Sequence, residues 1–441
     1  MWGVLIVSKL VELKKDEYEN FVKNNKFKSH FLQSHLWGEF SKAKKNLYPD
    51  YLGLKDDDKI VGTALLLKKK LPLGLCYFYC PRGFVIDFTN HTLVKDMTEK
   101  IKEFCKKHKA IFFKIDPDLI KERHNYLNEK LDEEYDWKDI FNNLKSLGYK
   151  HLGFTKNFET MQPRYSFRID LDQDLDTIID HFSKTTKQRI NKANKLNVKV
   201  EIGDKEDIKT FHHLMTLTED RKDFVSFPRD YYEKQYELFS KNNNAVLFLG
   251  KINTREIIKN YQKELEDIEK QLDLIDRDNL SKSAKNKLRE LTNKKEKLKK
   301  EIEKFKKAKK EYGETITLNA HMIIVYGDKA WVLYAGNHNI LTETYANYAT
   351  YFEHIKYCKE HGIKIYDQFG TIGDFSKDNP RLGLHEFKKK FGGDYVEFIG
   401  EFDYILKPFM YFVFNKLVPF YRNIVKNKSK KELKNEVKGN K

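Results

Sequence analysis

Residues 254–312 read TREIIKNYQKELEDIEKQLDLIDRDNLSKSAKNKLRELTNKKEKLKKEIEKFKKAKKEY. Apolar residues recur by fours and threes at Ile257, Tyr261, Leu265, Ile268, Leu272 and Ile275. They lapse over 276–283 and resume at Ala284, Leu288, Leu291, Leu298, Ile302 and Phe305. A repeat near 3.5 residues lays one narrow stripe along a helix, enough for a partner helix and too narrow for a globular core. The interruption Asp276-Arg277-Asp278-Asn279-Leu280-Ser281 combines turn-forming residues with an N-cap serine. The spacing therefore predicts an antiparallel coiled-coil hairpin. Its seam can close within one chain or between two, so a monomer and a homodimer are both compatible with it.

Outward from the insert lie two strand-like runs, Ala245–Leu249 and Thr315–Tyr326. Large insertions are tolerated at loop tips, so the insert is expected to replace the turn of a hairpin. Upstream, strands are expected at Tyr51–Lys55, Ile60–Lys70, Cys76–Cys80 and Ile111–Ile115, with a helix over Thr92–Lys107. A second pass runs from the strand Tyr165–Leu171 through helices near Leu175–Leu196, Lys205–Thr218 and Tyr231–Phe239. It continues, beyond the hairpin, with a strand at Ala330–Tyr334, a helix at Ala346–Glu360 and a strand at Lys364–Tyr366. The two passes share an order of elements without shared identity. Both resemble the acyltransferase fold of acetyl-CoA-using acetyltransferases. The expected fold class is therefore α/β (α+β): two acetyltransferase-like (GNAT) domains with the coiled coil inserted in the second. The expected domains are 1–153 plus 394–441, 154–253 plus 313–393, and the insert 254–312.

At 441 residues the chain is long for a single core. No apolar run approaches the roughly 18–20 residues of a membrane span, and the N-terminus lacks the pattern of a secretory leader, which predicts a cytoplasmic protein. Cys76, Cys80, Cys105 and Cys358 form no zinc-type set and are expected to be reduced packing residues. The net charge of +17 favours polyanionic partners: nucleic acid, anionic lipid or phosphorylated substrates. Its distribution is uneven, with 19 basic against 13 acidic residues over 255–312 and ten Lys/Arg against two Glu from Lys407 onward.

No phosphate-gripping Gly-rich loop, His-Glu-x-x-His or Gly-x-Ser-x-Gly elbow occurs. The Arg/Gln-x-x-Gly-x-Gly/Ala turn with which acetyltransferases hold coenzyme A is missing too. Several segments instead resemble the Fem family of peptidoglycan interpeptide-bridge aminoacyltransferases. They are Phe31-Leu32-Gln33-Ser34 with Trp37, Tyr79-Cys80-Pro81-Arg82-Gly83, Lys114-Ile115-Asp116-Pro117, Gln162-Pro163-Arg164-Tyr165-Ser166-Phe167 and Ser183–Ile190. Leu333-Tyr334-Ala335-Gly336, Tyr366-Asp367-Gln368-Phe369-Gly370 and Phe387-Lys388-Lys389-Lys390-Phe391-Gly392 follow in order.

The resemblance implies transfer of glycine, serine or alanine from aminoacyl-tRNA to an amine of a peptidoglycan precursor, either lipid II or UDP-MurNAc-peptide. It implies neither a cofactor nor a metal. An aminoacyl ester is already activated, so the protein has only to juxtapose amine and ester, take a proton and steady an oxyanion. The alternatives are an acyltransferase with another donor and a non-catalytic RNA- or membrane-binding protein.

Under the resemblance Lys388 is the first catalytic candidate, its cation near the reacting carbonyl. Asp116, at a strand end before Pro117, is positioned to accept or orient an amine proton. Tyr334 and Phe387 position the acyl or sugar portion. The expected substrate-binding residues are Lys42, Arg221, Arg229, Tyr231, Trp37 and Arg82. Lys42 lies one residue past the family's slot, which Ser41 occupies. Arg221 and Arg229 compete for one diphosphate-binding role. The basic helix Ser183–Lys195 is a candidate for tRNA phosphates. The aromatic and basic run Phe409–Lys428 is a candidate for peripheral contact with the anionic inner membrane face.

Overall fold

The computed structural model describes residues 8–25, 30–222, 226–275 and 281–417, with the side chains of 220–222 outside that description. The chain divides into two compact units: residues up to Arg168 with Phe369–Lys389 and the chain from Gly393 on, and Ile169–Gln368 with Lys390–Gly392.

The first unit carries a seven-stranded sheet in the order Lys9–Glu12, Tyr48–Asp56, Lys59–Lys70, Cys76–Cys80, Ala110–Ile115, Phe402–Ile405, Tyr149–His151. All neighbours are antiparallel except Cys76–Cys80 and Ala110–Ile115, whose parallel pairing requires a crossover. The helix His91–Lys107 supplies it. Its apolar face, Val94, Met97, Ile101 and Cys105, packs with Leu54, Leu66, Phe78 and Phe113 of the sheet in one core. A second strand group pairs residues 165–168 with Asp394–Phe398, and that strand with Ile120–His124.

The second unit repeats the topology. Lys199–Gly203, Ala245–Asn253, Thr315–Tyr326 and Lys329–Asn337 run antiparallel, and a parallel strand Ile365–Asp367 follows the crossover helix Ala346–Glu360. Where the first unit turns between Tyr48–Asp56 and Lys59–Lys70 in two residues, the second inserts the helices Thr254–Asp273 and Lys282–Tyr312. The hairpin expectation holds in detail. Ser281 caps the second helix, accepting from the Ala284 N–H at 3.2 Å. Ile268, Leu272, Leu291 and Leu298 are buried against one another, so the seam closes within the chain. Lys294–Glu264 and Lys295–Glu269 flank it at 2.8 and 2.9 Å. At its root, Thr254 N–H donates to the Glu314 carbonyl at 2.8 Å, continuing the strand pair.

One reading needs correction. The single helix expected over Leu175–Leu196 is two, Leu175–Asp180 and Lys184–Lys195. Ser183 breaks it, capping the Thr186 N–H while its own N–H donates to the Lys390 carbonyl at 3.0 Å. The C-terminal aromatic run is a short helix, Pro408–Phe412, followed by a π-helical turn, Val413–Leu417; Phe420, Ile424 and the basic residues beyond lie outside the described residues. All four cysteines are buried and unpaired. No described helix is long and apolar enough to cross a membrane.

Candidate active site

The parallel strands Cys76–Cys80 and Ala110–Ile115 end at the same edge of the first unit's sheet. There they deliver Pro81-Arg82-Gly83 beside Asp116-Pro117. Arg82 and Gly83 both take the left-handed conformation, with φ of 59° and 75°. A Cβ at Gly83 would stand 2.9 Å from the Pro117 Cα, so only glycine fits there. Left-handed backbone at Arg82 costs about 1–2 kcal/mol. It is offset by the Arg82 N–H donating to Asp116 Oδ1 at 2.7 Å. Tyr79 Oη donates to the other carboxyl oxygen at 3.0 Å.

Asp116 is 3% exposed. Burial pushes its pKa up to about 7, against the Arg82 charge and both hydrogen bonds, with the Glu401 charge adding to the rise. A carboxyl near 7 exchanges its proton readily at neutral pH, the property a general base needs.

The other motifs lock onto this corner. Gln33 donates to the Pro81 carbonyl at 2.5 Å and accepts the Leu65 N–H at 2.9 Å, tying the first motif to the Arg82 turn. Arg82 Nη2 donates to the Pro163 carbonyl at 3.1 Å, and its guanidinium lies 4.6 Å from the Phe398 ring centroid. Pro163 in turn packs at Gly370, where a Cβ would meet its ring at 3.1 Å.

Gly370 belongs to the loop that holds Lys388. That lysine, 6% exposed on the helix Leu382–Lys389, donates to the carbonyls of Gly370 at 2.8 Å and of Phe369. Phe369 is left-handed, which turns both carbonyls toward the ammonium. Asp116, Arg82, Pro163, Gly370 and Lys388 thus form one continuous path of contacts. One turn before Lys388, His385 is buried against Phe167, Phe375 and Tyr395 and paired with Thr371 Oγ1 at 3.2 Å. Burial lowers its pKa to about 4, so it is neutral at pH 7. Phe387 is half-buried on the same helix.

The remaining candidates are placed differently. Tyr231 and Tyr334, in the second unit, share an aromatic cluster. Tyr231 stacks on Phe227 at 3.9 Å, and Tyr334 meets Tyr232 edge-on at 5.1 Å. Burial raises both phenols above their usual pKa. Arg229 is 52% exposed and paired with Glu233 one turn along its own helix. The side chain of its competitor, Arg221, lies outside the described residues. Trp37 is a packing residue, edge-on to Phe31 at 5.5 Å, with its N–H capped by Ser34. The cation over its ring is Lys45, at 4.1 Å, whereas Lys42 points to solvent. Burial lowers the Lys45 pKa to about 8. Sequence reasoning missed Lys45, Tyr79 and His385.

The sequence profile of the FemAB family matches residues 13–418. A Staphylococcus aureus (strain MRSA252) protein named Lipid II:glycine glycyltransferase is 30% identical over 413 residues, 91% of this chain and 94% of that one. The Staphylococcus aureus (strain N315) protein of the same name matches with the same identity and coverage. The crystal structure of FemX superposes with a TM-score of 0.73 at 30% identity, covering 91% of this chain and 98% of that chain. The chain belongs to the FemAB family.

Proposed function

We propose that this protein transfers glycine from glycyl-tRNA to an amine of lipid II, in building the peptidoglycan interpeptide bridge. Family membership and the relatives' printed activity, lipid II:glycine glycyl transfer, support the reaction class. The observation that carries the reading is the continuous path from Asp116 to Lys388, built from the motif segments themselves. In the proposed step the acceptor amine attacks the ester carbonyl and a C–N bond forms. Asp116 takes the amine proton, and Lys388 steadies the oxyanion. Collapse breaks the ester C–O bond, and the tRNA 3′-terminal sugar hydroxyl leaves with that proton.

The test supplies radiolabelled glycyl-, seryl- and alanyl-tRNA with lipid II. Label appearing in lipid II from glycyl-tRNA alone is the expected result. Transfer from none of the three, on lipid II or on a UDP-linked peptide, would sink the reading.

Contact with an anionic membrane is part of the proposal. Tyr411 and Phe414 pack on Phe112 at 5.3 and 5.8 Å, which leaves Phe409 and Phe412 of the same segment 75% and 53% exposed. Exposed aromatics beside lysines suit an interfacial anchor. Failure to sediment with anionic liposomes at low salt would remove this part.

A further inference from the structure

A cavity of about 370 Å³ in the first unit, separate from the Asp116 corner, is lined by the strands Ile120–His124 and Asp394–Phe398, by Phe154 and Tyr165, and by Gly373 and Phe375. Two large aromatic rings at this cavity stand exposed to solvent, Phe154 at 43% and Phe375 at 52%. The loop bearing Phe375 is pinned on several sides. Tyr395 Oη donates to the Ile372 carbonyl at 3.0 Å, and the Gly373 N–H donates to the Lys156 carbonyl at 2.6 Å. A Cβ at Gly373 would come within 2.3 Å of the Tyr165 ring, so the loop passes there only as glycine. The His385 ring packs against Phe375, tilted, with centroids 4.6 Å apart. The exposed ring is therefore held in place, and a ligand stacking on it meets little ordering cost.

Cations share the lining. Lys156 is exposed, and Lys121 lies 5.3 Å from the Phe154 ring centroid. The two carboxylates of the lining are already engaged: Glu397 by Arg164 and Lys121, and Glu122 with its Oε1 3.3 Å from His124 Nε2. With Lys121 held by Glu397, an apolar ligand would leave the exposed Lys156 unused, and a free phosphate would leave the rings unused. An unpaired nucleotide uses both: a base on an aromatic face and a phosphate on nearby positive charge.

We propose that this cavity binds an unpaired nucleotide from the single-stranded 3′ end of the donor RNA, its base stacked on Phe375. The inference rests on the reading of the donor as an aminoacyl-tRNA. It places the RNA end on the helix that carries Lys388, because His385 supports Phe375 one turn before that lysine.

The test is fluorescence anisotropy on the full-length protein. It uses intact deacylated tRNA and the same tRNA trimmed of its unpaired 3′ nucleotides. The wild-type protein is expected to bind the intact form at least about tenfold more tightly. Phe375→Ala should lose most of that preference while binding trimmed tRNA as the wild type does, and Phe375→Trp should restore it. A Phe375→Ala protein that discriminates as well as the wild type overturns the proposal and leaves the tRNA reading standing. A wild type that binds both forms equally overturns the proposal too. A wild type that binds neither overturns the proposal and the tRNA donor together.

Discussion

Lys388 and Arg229 are both cations singled out for substrate contact, and the fold treats them in opposite ways. Lys388 is 6% exposed, its ammonium set on the carbonyls of Phe369 and Gly370 in a loop that packs toward the Arg82–Asp116 corner. Arg229 is half exposed, paired with Glu233 four residues along the same helix. A buried cation on backbone acceptors cannot be removed without leaving those acceptors unpaired, which costs about 1–3 kcal/mol apiece. An exposed i, i+4 pair contributes about 0.3–0.5 kcal/mol and can be rebuilt by solvent. The difference separates residues the fold has committed from residues it merely displays.

Breaking the buried side should have the largest effect. Lys388→Ala is expected to lower turnover by about 100- to 1,000-fold, as loss of a preorganised oxyanion stabiliser does, and to lower the unfolding temperature. Steady-state transfer assays beside thermal melts test both. A destabilised variant with wild-type turnover would make Lys388 a loop clamp and nothing more.

Next comes Asp116→Asn, expected to lower transfer about 100-fold at pH 7, the lower end of what a positioned base supplies. The wild-type rate should rise between pH 6 and 8 with a midpoint near 7, because the carboxylate is the active form. The stability contribution runs the other way. The folded-state pKa lies above the ordinary 3.8, so stabilisation by the bound proton is complete below about 4 and is lost as pH rises through about 7. A pH–rate profile unchanged in the asparagine variant would reassign Asp116 to holding the Arg82 turn.

In between lies the buried Tyr231, where Tyr231→Phe should change stability by under about 1 kcal/mol, since the ring stacking on Phe227 is kept. A raised KM for lipid II at constant kcat would assign its hydroxyl to acceptor binding. Arg229→Ala is the smallest, within about 0.5 kcal/mol in a denaturant titration. A large rise in KM there would show that the surface pair opens for substrate, and would narrow the contrast with Lys388.

Much of this architecture was legible in the sequence because it rests on periodicity and local chemistry. The 3.5-residue stripe of the insert, its Ser281 cap and its place at a hairpin tip depend on neighbours in the chain, and all three are present. The doubled topology was readable as an order of elements. The break at Ser183 was not, because it needs the Lys390 carbonyl, which is distant in sequence.

Of the candidate site, the motifs identified which residues to watch but not what each one touches. Lys42 and Lys45 differ by less than one turn of the same helix, yet only Lys45 reaches the Trp37 ring.

The sequence by itself determined the fold class, the helical hairpin and the family, since local spacing and ordered motifs suffice for these. Only the tertiary structure decided that Asp116 is buried enough to titrate near 7. It also decided that Pro163 joins Arg82 to the Lys388 loop, and that Phe375 is held open to solvent. The reason is physical: a pKa is set by desolvation and by charges brought close in space, and a buried hydrogen bond by partners far apart in the chain. Neither quantity exists until the strands are paired.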